Sequence, residues 1–347
     1  MARPSVIPYG EEVPAAQTPP EAARPGWSAW ALAAITMLLC VSWMLSDLSW
    51  IIDLVGSFAP QLGWAALAVS AWLLFRRARI PAGVAALGAM LGFLSMGVAR
   101  ADRADPAPPA QTVRVLQFNA RTTNPSGAEA FEMIMGSNAD VVAITEPPQQ
   151  LLDLIRAKAG GTYVWTDFPA NAGPGWRLTL SRWPIEKLAD LSDSTFSKMG
   201  FWIVRIKRPN GPFVFIQAHP DSPRTRERWA SGRDQLHELA KIVDSSIRPL
   251  RLPIIMAADL NSPPSGLRGR LMNERFGFER TKPRTAVTGG TYPAWLPGPF
   301  RLAIDDVFVQ SVFGVSGWKT MGPAGSDHMA VCVDIVLRDI PPEADGR

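Results

Sequence analysis

The chain has 347 residues, with 35 Lys and Arg against 31 Asp and Glu, and a formal net charge of +4. That excess is too mild to argue for nucleic-acid binding by charge alone, though it suits an anionic substrate. The two cysteines, Cys40 in an apolar run and Cys332 in a strand-like segment, stand far apart and argue against a disulfide framework.

Residues 1–26 are Pro-rich and mixed in charge, and are expected to form a disordered tail. Residues 27–99 read as a membrane domain with three transmembrane helices. The first run, Trp27–Ser46, carries no charge and matches the roughly 20 residues needed to cross a hydrocarbon core. Two more follow, from about Phe58 to Phe75 and from Ile80 to Ala99. Trp27, Trp43, Trp50 and Trp72 fall near the ends of runs, where indoles prefer to sit. Buried helices of a soluble domain are the competing reading, but three long uncharged runs in series are hard to bury. A cleaved signal peptide fits poorly, since the preceding tail is long and further apolar runs follow.

Arg76, Arg77 and Arg79 crowd the connector between the second and third runs, which places that connector in the cytoplasm. The connector Asp47–Ser57 carries only Asp47 and Asp53 and is expected outside, as is everything after Ala99. Arg100 and Arg103 argue the other way. Residues 100–111 read as a polar, Pro-rich linker.

Residues 112–338 change pattern. Short apolar strands (VRVLQFN, DVVAITE, RLTLSR, FWIVRI, PFVFIQAH, PIIMAADLN, LAIDDVFVQ, MAVCVDIVL) alternate with helical stretches near Gly127–Ser137, Pro148–Lys158 and Arg224–Ser245. Such alternation predicts an α/β domain with sheets covered by helices; residues 339–347 are left as a C-terminal tail. Polar residues recur at the strand ends: Asn119, Glu146, His219, Asp259, Asn261, Asp305, and the pair Asp327–His328. Strand ends aim side chains rigidly beside a solvated cleft. Taken singly, each has an ordinary explanation. Asn at a strand end is usually a turn residue, Asp259-Leu-Asn261 a turn or cap, and Glu146 before two prolines a solvated loop charge. His237 sits inside a predicted helix and reads as ordinary packing or solvent exposure. Arg224, Arg226, Arg228 and Arg233, like Arg268 and Arg270, read either as solvated faces or as anion attractors at a cleft mouth.

The order FNAR, ITE, QAHPDSP, ADLNSPP, IDDVFV and SDH resembles the endonuclease/exonuclease/phosphatase superfamily, and LSRWPI and GTYPAWLPG add to the likeness. The resemblance covers about residues 112–338. It implies an α/β (α+β) fold, the DNase I-like four-layer sandwich of two β-sheets flanked by helices, here preceded by three transmembrane helices. It also implies hydrolysis of a phosphoester with Mg²⁺ or Mn²⁺, hard cations that suit oxygen ligands. By the same resemblance, Glu146 is the main metal carboxylate, assisted by Asn119 and Asp327. Asp259 orients or deprotonates the attacking water, and Asn261 holds that water or a phosphate oxygen. His328, oriented by Asp305, stabilises transition-state charge or acts as acid/base, and His219 donates to a phosphate oxygen. Two departures stand out: Asp306 replaces a His or Tyr of many relatives, and Arg121 stands where some nucleases carry an acid.

The expected function is therefore a membrane-anchored, metal-dependent phosphoesterase with an extracytoplasmic catalytic domain. Its expected partners are membrane lipids and a phosphorylated substrate, a lipid phosphate or pyrophosphate foremost. A membrane-tethered nuclease acting on nucleic acid is the alternative, and a non-catalytic scaffold the second.

Overall fold

The computed structural model describes residues 25–97, 99–165, 176–188, 200–283 and 289–338. Nearly all of the N-terminal tail and the whole of the C-terminal tail lie outside them. The apolar runs form four helices, α1 (Trp27–Val41), α2 (Trp50–Gly56), α3 (Ala59–Phe75) and α4 (Arg79–Leu94). A tighter turn extends α1, so that Trp27–Leu45 is a helical run of 19 residues, long and apolar enough to cross a membrane. The three expected spans are less uniform than the apolar runs imply. α2 and α3 pass the same test only as a pair bent by 63°, and α4 has 16 residues, about 24 Å at ~1.5 Å per residue.

Small residues let these helices approach closely. Ala33, Ala66, Ala82, Ala85 and Ala89 are buried between them, and a Cβ on Gly92 would lie 2.7 Å from the carbonyl of Ala59. Ser70 Oγ crosses to the Ala82 carbonyl at 2.9 Å. Large apolar side chains point outward instead, among them Trp27, Leu38, Trp64 and Phe75.

The expected linker is seated on the domain that follows. Ala101 N donates to the Arg280 carbonyl and Arg280 N to the Ala99 carbonyl, both near 3 Å, and Arg103 bridges to Val315. Arg100 Nη1 donates to the Lys282 carbonyl. The Arg100 guanidinium thus serves a docked segment, whereas Arg103 takes part through its backbone.

The rest is two packed six-stranded sheets flanked by helices. The first runs β11 (Phe313–Met321), β12 (Ala330–Leu337), β1 (Thr112–Asn119), β2 (Val141–Thr145), β4 (Arg177–Ser181), β3 (Val164–Trp165). The second runs β5 (Ile185–Lys187), β6 (Phe201–Ile206), β7 (Phe213–Ala218), β8 (Ile254–Asp259), β10 (Asp305–Val309), β9 (Glu279–Arg280). The central pairs β1–β2 and β7–β8 are parallel, and the remaining pairs are antiparallel. α5 (Gly127–Gly136) and α6 (Gln149–Lys158) cover the outer face of the first sheet; α7 (Arg226–Ile242) and α8 (Leu267–Glu274) cover that of the second.

Strand alternation explains why the strands are almost wholly apolar, because both faces are buried. Val113, Val115, Val141, Phe213, Phe215, Ile255, Ala257, Val307 and Val309 fill the layer between the sheets. Leu116, Phe118, Val142 and Ile144 face α5 and α6, while Ile254, Met256 and Phe308 join the α7–α8 core. Burying each larger aliphatic chain contributes about 1.5–3 kcal/mol. Along β1 the inner row is 113, 115, 117, 119; along β7 it runs 213, 215, 217, 219; along β8, 255, 257, 259. On β10 the row 309, 307 ends at 305. Period-two geometry therefore carries Asn119, His219, Asp259 and Asp305 onto one seam, where the inner layer ends and its apolar filling gives way to polar groups.

Candidate active site

Asp259 is the hub of that seam and is fully buried. Its Oδ1 accepts the backbone N–H of Asn261 at 2.9 Å, and its Oδ2 accepts Asn119 Nδ2 at 2.9 Å. The first bond closes an Asx turn immediately after β8, the local reason that Asp-x-Asn recurs at such corners. Asn261 takes a left-handed backbone (φ 51°), which Asn tolerates, and its side-chain amide donates to the Pro220 carbonyl at 3.1 Å. Asn119 Oδ1 accepts the Arg121 N–H, so Asn119 is held from both ends.

Glu146, one residue past β2, also has φ 51°. That conformation costs a non-glycine residue about 1–3 kcal/mol, and here it directs a half-exposed carboxylate into the cleft. Glu146 Oε1 lies 3.5 Å from both Asn119 Nδ2 and His219 Nε2. His219 Nε2 is also 3.6 Å from Asp259 Oδ2, and its buried Nδ1 has no hydrogen-bond partner among the described residues.

Opposite stands a His–Asp dyad. His328 Nδ1 lies 2.8 Å from Asp305 Oδ2 and 3.9 Å from Asp259 Oδ2. Burial alone would push the imidazole down, but the charges of Asp305 and Asp259 and the Asp305 hydrogen bond outweigh it and hold His328 up at about 9. Burial in turn pushes the Asp305 carboxyl above the usual carboxylate range, against the pull of His328. The imidazolium–carboxylate form is the one these contacts favour, with Nδ1–H donating. Ser326 fixes the loop between them: its Oγ donates to the Asn119 carbonyl at 2.7 Å and accepts the His328 N–H at 3.0 Å. Thr291 Oγ1 accepts the Asp305 N–H, and the Tyr292 ring sits 4.8 Å from that of His328.

Asn119, Glu146, His219, Asn261, Asp327 and His328 line one cleft of about 920 Å³, with Asp259 and Asp305 buried beneath it. All eight residues expected from the sequence thus meet at one place. Ser326, Thr291 and Tyr292 were not singled out there; GTYPAWLPG carried the only hint of the last two. Of the arginines, Arg224 and Arg228 line the cleft beside Arg121 and Arg177. Arg268 does not attract anions from solvent. It is fully buried, donates to the carbonyls of Asp221, Leu260 and Trp229, and is pushed down to about 10 by burial. Arg233 leans over the Trp229 ring, and Arg270 reaches the Trp43 carbonyl and Asp47. Asp306 is structural too: buried, it accepts from Arg280 Nε at 2.6 Å and from Thr281 Oγ1 at 2.9 Å.

The donor set fits a hard divalent cation. Four carboxylates converge on a cleft with two imidazoles, and Asp305 Oδ1 is buried with no hydrogen-bond partner among the described residues. Asp259, Asp305 and His328 form the tightest group, with one ligand atom each within 4.8 Å of the others. In that group His328 Nδ1 is already committed to Asp305, so proton-handling suits it better than ligation. The carboxylates of Glu146 and Asp327 face open space.

The sequence profile described as the Endonuclease/Exonuclease/phosphatase family matches residues 116–328. The chain belongs to the endonuclease/exonuclease/phosphatase family. The matched span contains every site residue named above. No curated protein matches the chain. Among solved structures, humanized D. rerio TDP2 aligns with a TM-score of 0.50 and 14% identity, over 65% of this chain and 99% of that one. The endonuclease/exonuclease/phosphatase from Beutenbergia cavernae DSM 12333 aligns at 0.47 and 19%, over 67% and 73%. The human Nocturnin catalytic domain aligns at 0.47 and 16%, over 68% and 97%. At 14% identity the likeness to TDP2 concerns the fold alone. Endonuclease/exonuclease/phosphatase proteins include phosphodiesterases, nucleases and phosphatases; they are typically hydrolases of phosphoester bonds, generally with divalent metals.

Proposed function

We propose that this family member is a membrane-anchored, divalent-metal-dependent phosphoesterase that hydrolyses a lipid phosphate or pyrophosphate at the outer face of the membrane. The observation that carries the hydrolytic reading is the single cluster in which Asp259 touches Asn119, Asn261 and His219 while His328 pairs with Asp305. Attack on phosphorus needs an oriented water, a proton acceptor and cations around the phosphate oxygens. Asp259 accepts the proton of a water held against it by Asn119 and Asn261; the water oxygen bonds to phosphorus as the ester P–O bond breaks, and the departing alcohol takes its proton from solvent. The His328 imidazolium, kept charged by Asp305, offsets charge developing on the phosphate, and His219 donates to a second oxygen. Mg²⁺ or Mn²⁺, held by Glu146 with Asn119 and Asp327, would neutralise phosphate oxygens when bound.

Membrane attachment is supported by the 19-residue apolar helix Trp27–Leu45 and the outward apolar faces of α1 and α3. The extracytoplasmic orientation is supported by the Arg76–Arg79 connector. The connector expected outside, Asp47–Ser57, touches the catalytic domain through Asp53 and Ser57, in keeping with both lying on one side. The lipid phosphate rests on that address and on the arginines at the cleft. Purified protein in detergent with Mg²⁺ should release phosphate from prenyl pyrophosphate and phosphatidic acid, and a chelator should stop it. Absence of release together with metal-dependent plasmid nicking would replace this reading with that of a tethered nuclease.

A further inference from the structure

The cleft has a wall that does not come from the sandwich. Asp53, Leu54, Ser57 and Phe58, from the elbow joining α2 to α3, line it alongside the catalytic side chains. The elbow is held by specific bonds. The Asp53 carboxylate is buried; one oxygen accepts the Trp229 indole N–H at 2.9 Å, and the other accepts the Leu267 N–H at 2.8 Å, capping the first turn of α8. Ser265 Oγ donates to the Ser57 carbonyl at 3.0 Å, and Gly266 leaves only 3.1 Å between a would-be Cβ and Ser57 Oγ. Arg270 ties down the preceding turn through the Trp43 carbonyl and Asp47.

With Asp53 turned into the sandwich, Leu54 stays only partly buried and Phe58 is 45% exposed, both at the cleft. Phe58 is the N-cap of α3, which exposes Trp64 (61% exposed) and Leu67 further along. Two apolar side chains therefore stand at the cleft beside the phosphate-handling groups, at the start of a helix with an exposed apolar face. A phosphate group fills only a small part of about 920 Å³, and an oily wall has no use for a soluble, polar leaving group.

From this placement we infer that Leu54 and Phe58 are the specificity-determining residues of the site: they hold the first carbons of a long-chain alcohol whose phosphate sits over Asp259 and His328. The helical segment is then part of the substrate site as well as an anchor. The inference rests on the phosphoesterase reading and names the class of ester within it, a phosphate or pyrophosphate of a long unbranched or prenyl alcohol.

The test uses the full-length protein in nanodiscs, with hexadecyl phosphate and butyl phosphate as paired substrates and Leu54→Ser/Phe58→Ser as the variant, which leaves the Asp53 bonds in place. The ratio of kcat/KM for the long ester to that for the short one should fall at least tenfold, because the lost contacts are apolar and touch only the longer chain. An unaltered ratio overturns the inference while leaving the hydrolytic reading intact. A second measurement is independent of turnover: a diazirine-bearing hexadecyl phosphate is photo-crosslinked to the wild-type protein and the adducts are mapped by mass spectrometry. Adducts within residues 50–58 are expected. Labelling without any there overturns the inference, even if the wild type hydrolyses neither ester and the phosphoesterase reading itself has failed.

Discussion

Asp305 shows how one residue sets the working range of the site. It makes no opening to the cleft, yet its carboxylate keeps His328 protonated up to about 9, against the burial that would otherwise discharge the ring. The raised value has a definite sign. Stability from the dyad is fully present below the unfolded imidazole value, about 6.5, and is lost as pH rises through about 9. If the imidazolium serves the reaction, the pH–rate profile has an alkaline limb near that point. In Asp305→Asn the limb should move to lower pH, and kcat should fall about 10²–10⁴-fold; an unmoved limb would assign it to another group. The sequence placed Asp305 behind His328 only through family resemblance. The physical reason becomes visible with the register, in which 305 is the last inner-row position of β10 and faces the seam.

At the scale of elements, the short helix α2 does more than its seven residues suggest. A carboxylate in an interspan connector reads as a solvated loop charge, and nothing in the order of letters says that Trp229 and Leu267, far along the chain, will both donate to it. Asp53→Ala strands two buried donors, each left unpaired at a cost of about 1–3 kcal/mol. A lowered thermal midpoint of the catalytic domain, with α8 losing amide-exchange protection first, is the expected result. An unchanged midpoint would mean that the elbow is only loosely attached. Other elements were partly legible. The strands with unbroken apolar runs were evident because both their faces are buried. β11 was not: FGVSGWKTM, on a sheet edge with a bulge between Val315 and Gly317, shows neither a continuous run nor clean alternation. The third apolar run reads on to Ala99, whereas its helix ends at Leu94 and the chain is paired with β9 by Ala99.

For the whole molecule, the proposed topology predicts sidedness. A cysteine placed at Asp47 and one on the exposed Lys207 should share their accessibility to an impermeant thiol reagent in sealed cells, while one at Arg77 should show the opposite. Native Cys40 and Cys332 are buried and supply little background. Equal labelling of Asp47 and Arg77 sites would refute a traverse by α3.

The segment that leaves α4 bridges to Arg280 on β9 and then to Val315 on β11, the terminal strands of the two sheets. Unsatisfied strand edges invite pairing with a neighbouring chain, and proteins confined to a bilayer meet their neighbours at high two-dimensional density. The tether fills backbone positions on both edges with the chain's own residues. Under the proposed membrane attachment, the same stretch that holds these domains in a plane makes them poorer templates for strand addition, a form of protection that a freely hanging linker would not supply.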